Sequence, residues 1–148
     1  MRKGLWIWGC ICVATHLFTA CQPSEDEKIT ECAQDFAYAY FNMNFDQADA
    51  CCTQESRKWL SFRASNITER DIEAHNTQSG VVQTGIDNIR WQNDSTVLAC
   101  CLTENAVAAD SLEEKQGHIA QRRKWWIPLV KRNGKWRVKM EAPLQSAE

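Results

Sequence analysis

The hydrophobic period of the chain changes once, near Gly80, and that switch narrows the available folds more than any other feature. Before it, Ile29, Cys32, Phe36, Tyr40 and Met43 recur at helical spacing, with Ala33, Ala37 and Ala39 between them. This predicts an amphipathic helix over about 28–43, ended by Asn44. Asp46 is then placed to cap a second helix beginning Gln47-Ala48-Asp49-Ala50-Cys51-Cys52. A further helical stretch, about 54–63, presents Trp59, Leu60 and Phe62, and Asn66 or Thr68 suits the start of a short helix through His75. After Gly80 the pattern is that of strands. Val82, Ile86, Ile89 and Trp91 belong to one strand, and Gln92-Asn93-Asp94 makes a turn. Thr96–Thr103 is apolar on both faces, so it reads as a central strand covered on both sides. A polar loop follows over 109–117, and then a third strand over Trp125–Val130. Asn133-Gly134 joins that strand to Trp136-Arg137-Val138-Lys139-Met140 through a tight hairpin, because both turn residues accept positive φ. Helices followed by an antiparallel sheet make an α+β domain, expected over about 28–142 with a tail at 143–148.

The chain has 148 residues, 44% hydrophobic and 24% charged, a composition that excludes wholesale disorder, collagen and a multi-span membrane protein. Arg2 and Lys3 precede a run without charge from Gly4 to Ala20, which has the length of a secretory signal rather than a comfortable membrane span. Phe18-Thr19-Ala20-Cys21 resembles a bacterial lipobox, with Phe18 standing where Leu is usual. Residues 1–20 are therefore expected to be a lipoprotein signal peptide and Cys21 the lipidated residue, with 21–27 as an acidic tether. Acyl chains contribute about 0.8 kcal/mol per buried methylene, so multiple acylation holds a protein stably on a membrane. Ser24-Glu25-Asp26-Glu27 behind that Cys resembles the surface-export tag of lipoproteins in one large phylum of gut and oral anaerobes. The expected location is the outer membrane, facing outward, with a periplasm-facing anchor as the alternative. The same residues have capping-box spacing, Ser24 to Glu27, and would equally suit a helix start. Asp94-Ser95-Thr96 and Asp110-Ser111-Leu112 resemble short O-glycan acceptors, and Ser95 and Ser111 also suit plain turns. Net charge is −2, so no global cationic field recommends nucleic acid as a partner. Loss of 1–20 would remove Arg2 and Lys3 and no acid, leaving 15 of the 17 bases against 19 acids.

The order of elements reaches a family through particular residues. Asn44-Phe45-Asp46-x-Ala48, a helix leading to Glu55-Ser56, and strands closing on Trp126-x-Pro128-Leu129-Val130-Lys131-x-Asn133-Gly134-Lys135-Trp136-x-Val138 resemble a nuclear transport factor 2-like domain. The similarity is to the small bacterial lipoproteins of that cystatin-like α+β superfamily, many of unknown function. The resemblance implies N-terminal helices packed in a strongly curved antiparallel sheet of about four strands, forming a cone. It also implies a frequent pocket at the cone's mouth and a tendency to form homodimers.

Candidate chemistry is sparse. Cys32 and the adjacent pairs Cys51-Cys52 and Cys100-Cys101 would lie in an oxidising compartment, where disulfides are permitted. Five cannot all pair. Cys100 and Cys101 point to opposite faces of one strand, so only one of them can reach the helical layer and a partner at Cys51 or Cys52. Burial of all five as small apolar groups is the competing reading. Adjacent cysteines lack the two-residue gap of zinc sites and of redox motifs, so no metal or cofactor is expected. Ketosteroid isomerase shares the superfamily fold and uses a carboxylate base beside an acidic donor pair. Asp35, Tyr38, Tyr40, His75, Asp87, Glu104 and His118 are the candidates for such roles, and no spacing among them forces a shared site. Neither a Gly-x-Ser-x-Gly elbow nor a Gly-rich phosphate loop is present in the sequence. Residues 121–140 hold several bases and no acid, and Lys135, Arg137 and Lys139 share one strand face, a patch suited to an anionic partner or simply to solvent. The expected function is a non-catalytic binding module of the cell envelope, for a small molecule, a glycan or another envelope protein. A small-molecule isomerase or hydrolase, and a structural subunit of an envelope complex, are the alternatives.

Overall fold

A computed structural model describes residues 22–77, 80–108 and 118–147. The expected signal segment over 1–20, Cys21 and Ser111 lie outside the described residues. Helix α1 spans Glu25–Phe41 and starts on a capping box, with Ser24 accepting from the Glu27 amide and Glu27 accepting from the Ser24 amide. The three acids thus form the first turn of the helix, where its dipole favours them. Among the described residues of the expected tether, Gln22–Ser24 stay outside α1. The helix stops at Phe41 rather than at the expected Met43, and Met43 takes φ 61° beyond the Asn42 cap. Asn44, not Asp46, caps α2 (Phe45–Ala50), its side chain accepting from the Gln47 amide at 3.3 Å. A 3₁₀ turn over Gln54–Ser56 leads into α3 (Arg57–Ser65), and α4 covers Glu69–Thr77.

The sheet is antiparallel in the order β1-β2-β3-β4, with β1 Gln83–Asn93, β2 Thr96–Ala108, β3 His118–Arg132 and β4 Lys135–Val138. A fifth strand, β5 (Gln145–Ser146), pairs with Trp125 and Trp126 of β3, so the expected tail is part of the sheet. β2 is central, as its two apolar faces require. The polar segment 109–117 lies outside the described residues, and β2 and β3 run out to Ala108 and His118 on either side of it. Asn133 and Gly134 close the β3–β4 hairpin at φ 51° and 74°, the positive pair a two-residue turn demands.

Helix α1 lies against β1, β2, β3 and β4, and its buried residues Ile29, Ala33, Phe36 and Tyr40 meet Val97, Ala99, Cys101, Ile127 and Leu129 of the sheet. Asn42 pins the layers together: its Nδ2 donates to the Val82 carbonyl at 3.2 Å and its Oδ1 accepts the Val82 amide at 2.7 Å. The free edge of β4 is covered. Val138 donates to Cys51 O at 3.0 Å, Thr53 donates to Val138 O at 2.9 Å, and Cys52 bridges Val138 in parallel. Edge strands left bare invite pairing with other chains, and this one is closed by its own helical layer.

Candidate functional site

The two faces of the sheet differ in what they offer. The inner face is packed. Phe36 stacks on Tyr40 at 5.3 Å, Tyr40 meets Phe41 and Phe45 edge-on, and Phe41 leans on Trp125 at 5.3 Å. Trp125 donates from Nε1 to Thr103 Oγ1 at 3.0 Å, so its polar atom is satisfied within the core. Met140, Trp136 and Val138 complete the packing from the chain's end.

The residues suited to acid–base chemistry do not converge there. Tyr40 is buried, and burial pushes its hydroxyl up to about 12, which keeps it protonated. Tyr38, Asp35 and Glu104 are exposed. Asp87 lies on the outer face, held below the usual carboxylate range by the Lys124 ammonium at 2.6 Å. His75 is half-buried near the end of α4, and the surroundings of the His118 side chain lie outside the described residues. Asp71 is a buried carboxylate that the sequence reading passed over. Its Oδ2 accepts from the Thr68 amide and hydroxyl, both at 2.8 Å, while Thr68 Oγ1 accepts the Asp71 amide at 3.2 Å. This reciprocal pair is a capping box for α4, and the Thr-x-x-Asp spacing was its signal.

The outer face holds an open groove of about 410 Å³ between β2, β3 and the segment running into β5. Leu98, Pro128, Trp126, Val130 and Leu144 supply its apolar lining, and Lys139 and Glu141 stand at its rim, bonded to each other at 2.7 Å. Trp126 points outward while Trp125 points inward, as strand alternation demands. The guanidinium of Arg90 sits 4.7 Å from the Trp126 ring centre and fixes the indole from one side. Cys100 lies on this same outer face, yet is buried.

The bases of the last hairpin are largely engaged within the molecule. Lys131 reaches Glu25 at 2.6 Å, and Trp136 Nε1 donates to the same carboxylate at 3.0 Å. Those contacts, Lys131 foremost and then Lys28 and Trp136, hold Glu25 down at about 2. Arg132 pairs with Glu55 at 2.9 Å and likewise holds it at about 2. Arg137 donates to the Ala50 carbonyl, and Lys139 is tied to Glu141. Of the three bases expected to share a face, Lys135 is exposed, while Arg137 and Lys139 are turned to partners in the chain. A polar hollow of about 430 Å³ beside β4 collects Arg57, Arg132 and Arg137 with Asp49 and Glu55.

All five described cysteines are free thiols. The bridge expected between the helical pair and the strand pair is not formed, and the strand register explains why. Cys52 lies beyond β4, and β4 is itself two strands from β2. Cys101 pairs with Trp125, four residues along β3 from the Leu129 that pairs with Val138. With strands roughly 4.8 Å apart and residues roughly 3.3 Å apart along them, the two pairs are separated by more than about 10 Å. That exceeds disulfide reach.

No family model matches the sequence, and no curated protein matches it. Solved structures do. A protein of Campylobacter jejuni described as an NTF2-like transpeptidase aligns over 80% of this chain and 100% of its own, at 14% identity and a TM-score of 0.50. An NTF-2 like protein of unknown function from Shewanella oneidensis MR-1 aligns over 84% of this chain and 100% of its own, at 12% identity and a TM-score of 0.52. At such identities the likeness concerns the course of the backbone alone. Helices followed by a curved, open antiparallel sheet around a helix-filled concavity make this chain's fold the nuclear transport factor 2-like α+β cone.

Proposed function

We propose that the chain is a lipid-anchored protein of the bacterial outer membrane, attached through Cys21, that binds a ligand or partner without catalysis on the outer face of its sheet. The observation that carries the binding reading is the contrast between faces. The inner face is filled by aromatic and aliphatic side chains, and the outer face keeps a groove floored by Trp126, Leu98 and Pro128. Such concave apolar surfaces with a few polar groups at the rim are the usual form of small-ligand sites. The lipobox-like Phe18-Thr19-Ala20-Cys21 supports the anchor, and the acids behind it support outward display.

Two measurements test the reading separately. Cells fed an alkyne analogue of palmitate should label the wild-type protein and not Cys21→Ala; equal labelling of both would remove the anchor. The neutral dye N-phenyl-1-naphthylamine, titrated into residues 22–148, should brighten, and Trp126→Ala should weaken its binding about tenfold. Unchanged dye affinity in that variant would dismiss the groove as the site.

A further inference from the structure

Three of the five described thiols gather along one edge of β4. The Cys32 thiol, on α1, donates to the Trp136 carbonyl at 3.4 Å. Cys51, which caps the C-terminus of α2, accepts the Val138 amide on its own carbonyl at 3.0 Å. Alternate residues of a strand direct their backbone groups to the same edge, so Trp136 and Val138 present these contacts side by side. Two residues of a strand span roughly 7 Å. Cys32 and Cys51 are thus fastened to neighbouring points of one short edge, from two helices that pack on each other. The same surroundings act on both: Asp35, one turn along α1 from Cys32, faces the two thiols, and so does Arg137. Cys51 ends α2, the helix that packs on α1, while Cys52 follows it in the backbone bridge to Val138. Disulfides need Cα atoms about 4.4–6.8 Å apart. The two anchors stand one strand repeat apart on the same edge, while the strand cysteines stand across the sheet; pairing requires the Cys51 thiol to leave the Gln47 carbonyl, which it meets at 3.7 Å.

We propose that Cys32 and Cys51 form a disulfide that ties α1 to the end of α2 across the edge of β4, leaving Cys52, Cys100 and Cys101 as thiols. Each of the two cysteines gives up its thiol hydrogen and a sulfur–sulfur bond forms between them. The two electrons and two protons pass to a small-molecule disulfide such as oxidised glutathione, whose own bond opens to two thiols. Burial holds the Cys32 thiol up at about 12 in the folded chain, so the thiolate needed for exchange is scarce once the layers have closed. The bond therefore forms while the chain folds. In the cell this chemistry rests on the export proposed above; in the test tube it does not.

The full chain with Cys10, Cys12 and Cys21 replaced by serine, unfolded with reductant, is refolded with oxidised glutathione in mild detergent and cleaved by cyanogen bromide, which cuts after Met43 and Met140 and so separates Cys32 from Cys51. The fragments ending at Met43 and at Met140 should stay joined until reductant is added. The link should vanish in Cys32→Ser and in Cys51→Ser, and persist in Cys52→Ser, Cys100→Ser and Cys101→Ser. No link in this parent chain, a link that survives Cys32→Ser or Cys51→Ser, or one lost in Cys52→Ser would overturn the pairing. Should a serine variant not refold, the alanine variant at that position is read in its place. Palmitate labelling at Cys21 reports on export independently, so the two proposals fail separately.

Discussion

Asp71 shows how a buried carboxylate can serve structure rather than chemistry. Its oxygen satisfies the Thr68 amide and hydroxyl at the start of α4. Asp71→Ala should cost about 1–2 kcal/mol through the lost cap and the stranded amide, lowering Tm by roughly 5 °C in a thermal melt. Asp71→Asn, which can still accept from the amide, should recover most of it. Glu25 carries a second residue-scale consequence. Its carboxyl sits at about 2 in the fold against 4.5 for the ordinary group, and Glu55 behaves likewise. A lowered folded value means the unfolded chain binds the proton more readily, so these groups stabilise the fold fully above about pH 4.5. That contribution is lost as pH falls from about 4.5 towards 2. Urea midpoints should therefore drop over this window, and the drop should shrink in Glu25→Gln/Glu55→Gln. An equal drop in both proteins would show that the pairs with Lys131 and Arg132 do not form.

At the scale of elements, the β3–β4 hairpin and β1 use glycine for different reasons. Gly134 lies at φ 74° with open space around it, so a methyl group there meets strain and no clash. Gly134→Ala should destabilise by about 1 kcal/mol in equilibrium unfolding. Gly85 has ordinary strand backbone and equal space, so Gly85→Ala should be neutral or slightly stabilising. The opposite signs separate backbone conformation from packing. The Asn133-Gly134 turn was legible in the sequence because the dipeptide itself carries the φ requirement. The cap of α2 was not. Asn44 and Asp46 are both good capping residues two positions apart, and only the way the chain leaves α1 decides between them.

For the whole molecule, the decisive feature is that adjacent tryptophans serve opposite faces. Trp125 is buried against Phe41 and Thr103, so Trp125→Ala should cost about 3–5 kcal/mol. Trp126 lies in the outer groove under Arg90, so Trp126→Ala should cost much less stability while weakening dye binding. Denaturant unfolding of the two variants side by side measures this. Equal losses would mean that the groove belongs to the core. The basic hairpin belongs to the same scale. In the sequence its bases form one cationic run, and in the fold Glu25, Glu55 and Asp87, brought from distant segments, take up Lys131, Arg132 and Lys124.

The sequence alone determined the class of fold, the order of its layers, the hairpin and the opposite faces of Cys100 and Cys101. These follow from local rules: hydrophobic period, turn chemistry and the two-residue repeat of a strand. Tertiary structure alone decided which cysteines are neighbours, where the hairpin's charges end and which face stays open. Those outcomes depend on strand register and on the packing of helices against the sheet. Contacts between residues far apart in the chain set both, and no local pattern records them.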